Sequence, residues 1–185
     1  MGLFGLLLRW WNPTAAWQPT PSTAHVVNLG KHQFCGVGLG DRFERLSFLG
    51  REERSGSHFA FPQHGIEVSH DSDGNVAELA FYFGHPAEPT PGAFHGQFLL
   101  DGQAMPLNYA TSEAEIVELF GPPYWRGEDA DEAILFYEFR ECEWQVEFAL
   151  SGGLKCFSIS TSILADEQQR SLYGVTKPWP PEHWM

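Results

Sequence analysis

The spacing of apolar residues changes along the chain in an orderly way. Two short stretches carry the helical spacing: Phe43, Leu46 and Leu49 in residues 42–49, and Ile116, Leu119 and Phe120 in residues 113–120. Asp41 with Glu44, and Ser112 with Glu115, have the three-residue separation of a capping box, and Gly50 and Gly121 stand where a helix stops. Strand-like runs surround these helices. One precedes each (25–29 and 97–100) and three follow each: 59–61, 65–71 and 76–83 after the first, 133–139, 144–150 and 154–161 after the second. Residues 25–50 and 96–121 align at a constant offset of 71, the signature of a duplicated unit.

Turn chemistry sets a register. If Asp73-Gly74 and Gly152-Gly153 make two-residue hairpins, Val68 faces Leu79 and Ile66 faces Phe81, while Phe148 faces Phe157 and Val146 faces Ile159. Apolar residues then meet on one face, and a slip by one position would lose this in either hairpin. The opposite face carries Glu67, Ser69, Glu78 and Tyr82 from the first unit and Gln145, Glu147, Cys156, Ser158 and Ser160 from the second. The expectation is an α+β protein of two tandem repeats, each a short helix packed on an antiparallel sheet whose polar, acidic face is open. Its segments are an extended N-terminal arm (1–24), a first repeat (25–88), a second repeat (89–162), and a C-terminal helix ending at Gly174 with a Pro/Trp-rich tail (163–185).

Composition narrows the function classes. A hydrophobic fraction of 43%, including 15 Phe and 7 Trp, gives 185 residues enough apolar area for a core. The formal charge of -13, with 11 Lys and Arg in all, argues against nucleic acid and makes a basic or neutral partner the easier one to attract. Cys35, Cys142 and Cys156 are odd in number and form no CxxC, which suggests neither a disulfide scaffold nor a structural zinc site and fits a reducing compartment. The opening MGLFGLLLRWW is too short for a membrane span and has no positive residue before its apolar run. A cytoplasmic protein without stable membrane insertion is expected. The Trp-rich arm is a candidate for exchange in a homo-oligomer.

A short capped helix ending in Leu-Gly or Phe-Gly-Pro (Leu49-Gly50, Phe120-Gly121-Pro122), followed by aromatic-rich antiparallel strands and repeated in tandem, resembles the β-lactamase-inhibitor-protein-like fold. The resemblance spans about residues 25–161. It implies a concave antiparallel sheet that grips another protein, with no catalysis. The chain departs from that pattern in lacking a cysteine pair placed to bridge a helical hairpin, and no functional residue carries over.

Candidate chemistry is sparse. His58, His64, His70, His85 and His95 crowd into one region, yet six residues of strand separate His64 from His70 by about 20 Å, too far to share an ion. A tight turn at Pro62-Gln63 would set His58 opposite Glu67, a pair suited to an ion pair or to general-base work. Asp71, Asp73 and Asn75 start like a calcium loop, but the glycine falls at the fourth position and Tyr82 at the twelfth, so a hairpin turn is expected. Gly36, Gly38 and Gly40 lack the phosphate-loop spacing and read as a strand-to-helix turn. Trp144 is expected in the core, and Tyr124, Trp125, Trp179 and Trp184 in loops or the tail as contact candidates. No cofactor motif is present. The sequence favours a non-catalytic binding, inhibitory or adaptor module, with Glu67, Ser69, Glu78, Tyr82, Gln145, Glu147, Tyr124 and Trp125 as partner-binding residues. The alternative is a small hydrolase or metal-dependent enzyme using histidine and glutamate on the same face.

Overall fold

The computed structural model describes residues 13–20, 24–52, 58–84 and 92–184. The calls on the N-terminal arm and His85 therefore lie wholly or largely outside the described residues. Strands run in order β1 (Val26–Asn28), β2 (Gln33–Phe34), β3 (Val37–Gly38), β4 (His58–Phe61), β5 (Ile66–His70), β6 (Val76–Tyr82), β7 (Gln97–Leu100) and β8 (Gln103–Met105). After helix α1 (Glu113–Phe120) come β9 (Trp125–Glu128), β10 (Glu132–Glu138), β11 (Glu143–Ala149), β12 (Leu154–Ser160) and helix α2 (Glu167–Leu172). The protein is α+β, with two sheets rich in antiparallel pairs.

The two expected sheets are one. Strands β6 and β12 pair antiparallel, Leu79 opposite Ile159, and join both meanders into a seven-stranded sheet of order β4-β5-β6-β12-β11-β10-β9. The short strands form a separate five-stranded sheet, β3-β2-β1-β7-β8, in which β1 and β7 run parallel with Val26 beside Gln97. The apolar faces of the two sheets pack together. Phe34 meets Phe81 and Phe98 meets Phe157, each pair with ring centroids 5.5 Å apart, and Ile116 of α1 is fully buried in the same core.

The caps came out unequal. Ser112 and Glu115 form the complete capping box, so α1 is a regular helix. The first segment, Phe43–Leu49, is instead a 3₁₀ helix capped by Arg42 with no side-chain hydrogen bond. The expected Asp41–Glu44 box is absent because Asp41 is used elsewhere: it accepts from the Gly38 amide at 2.9 Å and pairs with Arg45 at 2.5 Å. Gly50 and Gly121 both end their helices at positive φ, 80° and 81°.

Turn positions also differ from expectation. The two-residue hairpins with both residues at positive φ are Cys35-Gly36, between β2 and β3, and Asp101-Gly102, between β7 and β8. Gly36 thus belongs to a hairpin and Gly38 to β3, rather than to a strand-to-helix turn. At residues 71–75 only Gly74 has positive φ, the Asp71 carboxylate accepts from the Asp73 and Asn75 amides, and a register shift beside His70 restores Val68 to Leu79 and Ile66 to Phe81. The second hairpin is displaced by two positions. Val146 faces Phe157 and Trp144 faces Ile159, because a bulge near Glu147 and a longer turn replace the two-residue Gly152-Gly153 connection. A shift of two keeps every side chain on its expected face.

Candidate functional site

Side-chain alternation places His58, Ala60, Glu67, Ser69, Glu78, Ala80 and Tyr82 on the face of the large sheet opposite the core. Cys156, Ser158, Ser160, Gln145, Glu147, Glu143 and Glu132 continue it across β12, β11 and β10. The six sheet positions expected to bind a partner, Glu67, Ser69, Glu78, Tyr82, Gln145 and Glu147, are all half-buried and all on this one surface. Its floor is closed. Ser158 and Ser160 are buried among larger neighbours, and neither hydroxyl has a hydrogen-bond partner among the described residues.

The face is partly covered by the chain's own C-terminal segment. Ile134 and Phe136, which point outward from β10, pack with Leu164, Tyr173, Val175 and Trp179 into a second, smaller cluster. Trp125 lies in β9, not in a loop, and its indole N–H donates to the Tyr173 carbonyl at 3.0 Å. The Tyr124 hydroxyl donates to the Pro178 carbonyl at 2.9 Å, and Trp179 stacks edge-on against both Tyr124 and Trp184. Tyr124 and Trp125 therefore anchor the tail. The part of the sheet from β4 to β12 lies beyond that cluster.

Most carboxylates on the face have internal partners. Tyr82 donates its hydroxyl to Glu67 at 3.0 Å, and burial, Cys156 and Glu67 together push that phenol well above its ordinary value. Ser69 donates to Glu78 at 3.3 Å, and Glu132 pairs with Lys155. Glu147 differs. Among the described residues it has no hydrogen-bond donor, and burial, reinforced by Glu132 and only partly opposed by Lys155, pushes its carboxyl up to about 7. Lys155 is the lone lysine or arginine among the described residues of this face.

The expected His58–Glu67 pair does not form. The turn after β4 is a 3₁₀ turn, Pro62–His64, closed by Gly65 at positive φ, so Glu67 faces Ala60 while His58 faces Ser69 and lies 3.6 Å from Glu78. His64 donates from Nε2 to the Leu49 carbonyl at 3.0 Å, and His70 donates from Nδ1 to the Asp71 carbonyl at 2.7 Å. Among the described residues no three His, Cys, Asp or Glu side chains come together as a metal-binding group.

Two further sites were not foreseen. In the first, Glu138 and Glu143 stand directly opposite each other at the end of the β10–β11 hairpin, with 1% and 0% exposure. Burial raises both carboxyls above the ordinary range, and a proton shared between them relieves the like-charge contact. Alternation carried forward from Ile134 and Phe136 puts Glu138 on the same outward side, but Glu143 falls just before the predicted run 144–150, so the pairing was not legible. The second is a concavity of about 470 Å³ that includes His32, Asp41, Glu141 and Cys142. His32 Nδ1 accepts from the Trp144 indole at 3.0 Å, which leaves its proton on Nε2, and burial lowers its basicity. Burial pushes the Cys142 thiol up to about 12, so it is no nucleophile at neutral pH. Trp144 itself is buried in the core, as expected.

No helix among the described residues is long and apolar enough to cross a membrane. No family model matches the chain, and no curated protein matches it. Among solved structures, a DUF4309 family protein (YjgB) from Bacillus subtilis is similar at 14% identity, covering 69% of this chain and 83% of that one with a TM-score of 0.49, a likeness too slight to carry an argument from one to the other.

Proposed function

We propose that the chain is a non-catalytic protein-binding module, of inhibitory or adaptor type, whose acidic sheet face docks a basic segment of a partner protein. The observation that carries this reading is Glu147, a half-buried carboxylate with no donor among the described residues, set on a face where Lys155 is the lone lysine or arginine. Holding such a group costs stability, and a lysine or arginine from a partner would supply the missing donor. Charge would set the encounter rate.

The tandem-repeat reading, 25–88 and 89–162, belongs to the same proposal. It is supported by the offset of 71 between paired residues of β1 and β7, and by matching hairpins in which Val27 faces Phe34 and Phe98 faces Met105. Strands β4-β5-β6 and β12-β11-β10 mirror each other across the β6–β12 junction. Duplication of this kind yields one broad sheet, of the sort that the β-lactamase-inhibitor-protein-like resemblance implies for gripping another protein.

The test is co-purification from the source organism followed by mass spectrometry, comparing the unaltered chain with Glu67→Lys/Glu147→Lys. A basic protein retained by the first and lost by the second, with the fold intact by circular dichroism, is the expected result. Undiminished capture by the double variant rejects this face.

A further inference from the structure

The C-terminal segment meets the Glu138–Glu143 pair at both of its ends. It leaves β12 through Ser162 and Ile163, whose hydroxyl and amide face Glu138 and Glu143 respectively. It returns where Pro178, Glu182 and His183 line, together with Tyr124 and Glu138, a pocket of about 530 Å³. Between those points Leu164, Tyr173, Val175 and Trp179 cover Ile134 and Phe136 of β10. The two acids therefore lie beneath the segment, directly opposite each other and almost wholly out of contact with solvent. Two carboxyls so placed cannot both ionise, and one proton held between them removes the repulsion. The cations of the segment are committed elsewhere. Lys177 donates to the Tyr124 carbonyl at 2.6 Å, and Arg170 donates to the Leu164 and Ala165 carbonyls at 2.8 and 2.9 Å.

We propose that this shared proton fastens the C-terminal segment to the sheet, and that its loss in alkaline solution frees the segment and bares the apolar outward side of β9 and β10. The covered state holds a proton that the uncovered state releases, so rising pH favours uncovering. With the proton gone, two negative charges oppose each other in a site without water, and lifting the segment is what lets water reach them. The groups around the pair give no relief. Glu141 and Glu182 are themselves carboxylates. Cys142, Tyr124 and Tyr173 are held neutral by burial, which pushes the thiol up to about 12 and raises both phenols. Imidazoles such as that of His183 are uncharged in alkaline solution. The apolar cover of Ile134 and Phe136 works the other way, and it keeps the segment down while the proton is in place. The device stands apart from the sheet-face reading: β10 is separated from β5 and β6 by two strands or more, and either proposal can fail alone.

The measurement is hydrogen exchange of the full chain by mass spectrometry between pH 7 and pH 10, with labelling times scaled to the intrinsic exchange rate at each pH. Amides of residues 163–175 should lose at least tenfold in protection over that range while those of β5, β6 and β12 keep theirs. Glu138→Gln gives Glu143 a permanent N–H donor and leaves one negative charge on the pair, as the shared proton does, so its segment should stay protected to within twofold at every pH. Constant protection of the segment in the unaltered protein, an equal loss across the whole sheet, or the same loss in Glu138→Gln would each overturn the proposal. Glu143→Gln makes the same exchange from the other strand and serves if the first variant misfolds, and constant protection in the unaltered protein is decisive without either.

Discussion

Replacing Glu147 by glutamine should stabilise the protein, and only at high pH. The folded carboxyl titrates at about 7 against an ordinary value of 4.5, with burial as the main cause, Glu132 and Glu78 adding to it and Lys155 opposing it. Cys156 and Tyr173 also face the group. Below pH 4.5 the residue is neutral in both folded and unfolded chains and costs nothing. Between about 4.5 and 7 the folded state holds a proton that the unfolded chain releases, so rising pH lowers stability through this group, and above 7 the loss is complete. A displacement of that size corresponds to about 3 kcal/mol. Glu147 is not fully buried, and solvent screening reduces the figure to about 1–2 kcal/mol. Glutamine keeps the shape and discards the charge. Urea unfolding of both proteins at pH 4, 6, 7 and 8 should therefore show equal stability at pH 4 and a gap of about 1–2 kcal/mol in favour of the variant at pH 8. The Glu138–Glu143 pair titrates in both proteins and cancels in the difference. A gap independent of pH, or a variant less stable at pH 8, would refute the claim that an uncompensated carboxylate is held in the face.

Two further expectations concern the frame. A methyl group at Gly65, whose φ is +64°, would stand 2.2 Å from the Phe94 amide nitrogen and 2.3 Å from the Gly92 carbonyl oxygen, whereas at Gly152, φ +94°, it would meet open space. Gly65→Ala should cost more than about 3 kcal/mol and Gly152→Ala about 1 kcal/mol in chemical denaturation, since only the first adds a clash with backbone to the conformational penalty; equal costs would contradict this. Phe98 touches Phe81, Phe83, Phe94 and Phe157 at ring separations of 5.4–5.7 Å, and Phe98→Ala should cost about 3–5 kcal/mol by calorimetry. A loss below 1 kcal/mol would mean that the two sheets do not share a core.

Period and punctuation alone located α1 with its Ser112–Glu115 box, the glycine stops, and all six long strands to within a residue or so. They also placed Glu67 and Glu78 on the polar side of the first unit and Glu147 on that of the second, because side-chain alternation is a local property that survives even the two-position shift in the β11–β12 hairpin. Composition gave the acidity. The tertiary structure decided what depends on distant partners. Asp41 abandons its helix for the Gly38 amide and Arg45, contacts set by how the β2–β3 hairpin folds back, and so the first helix is 3₁₀. The junctions β1–β7 and β6–β12 join residues more than seventy positions apart, and no local pattern encodes which strand edge will find which. The covering of β10 by the tail, and with it the pocket at Glu138, likewise comes from Phe136 and Trp125 meeting Tyr173 across nearly forty or more residues of chain. Alternation tells each strand which side is apolar; only the packed molecule determines whether the polar side meets water, another carboxylate, or the protein's own end.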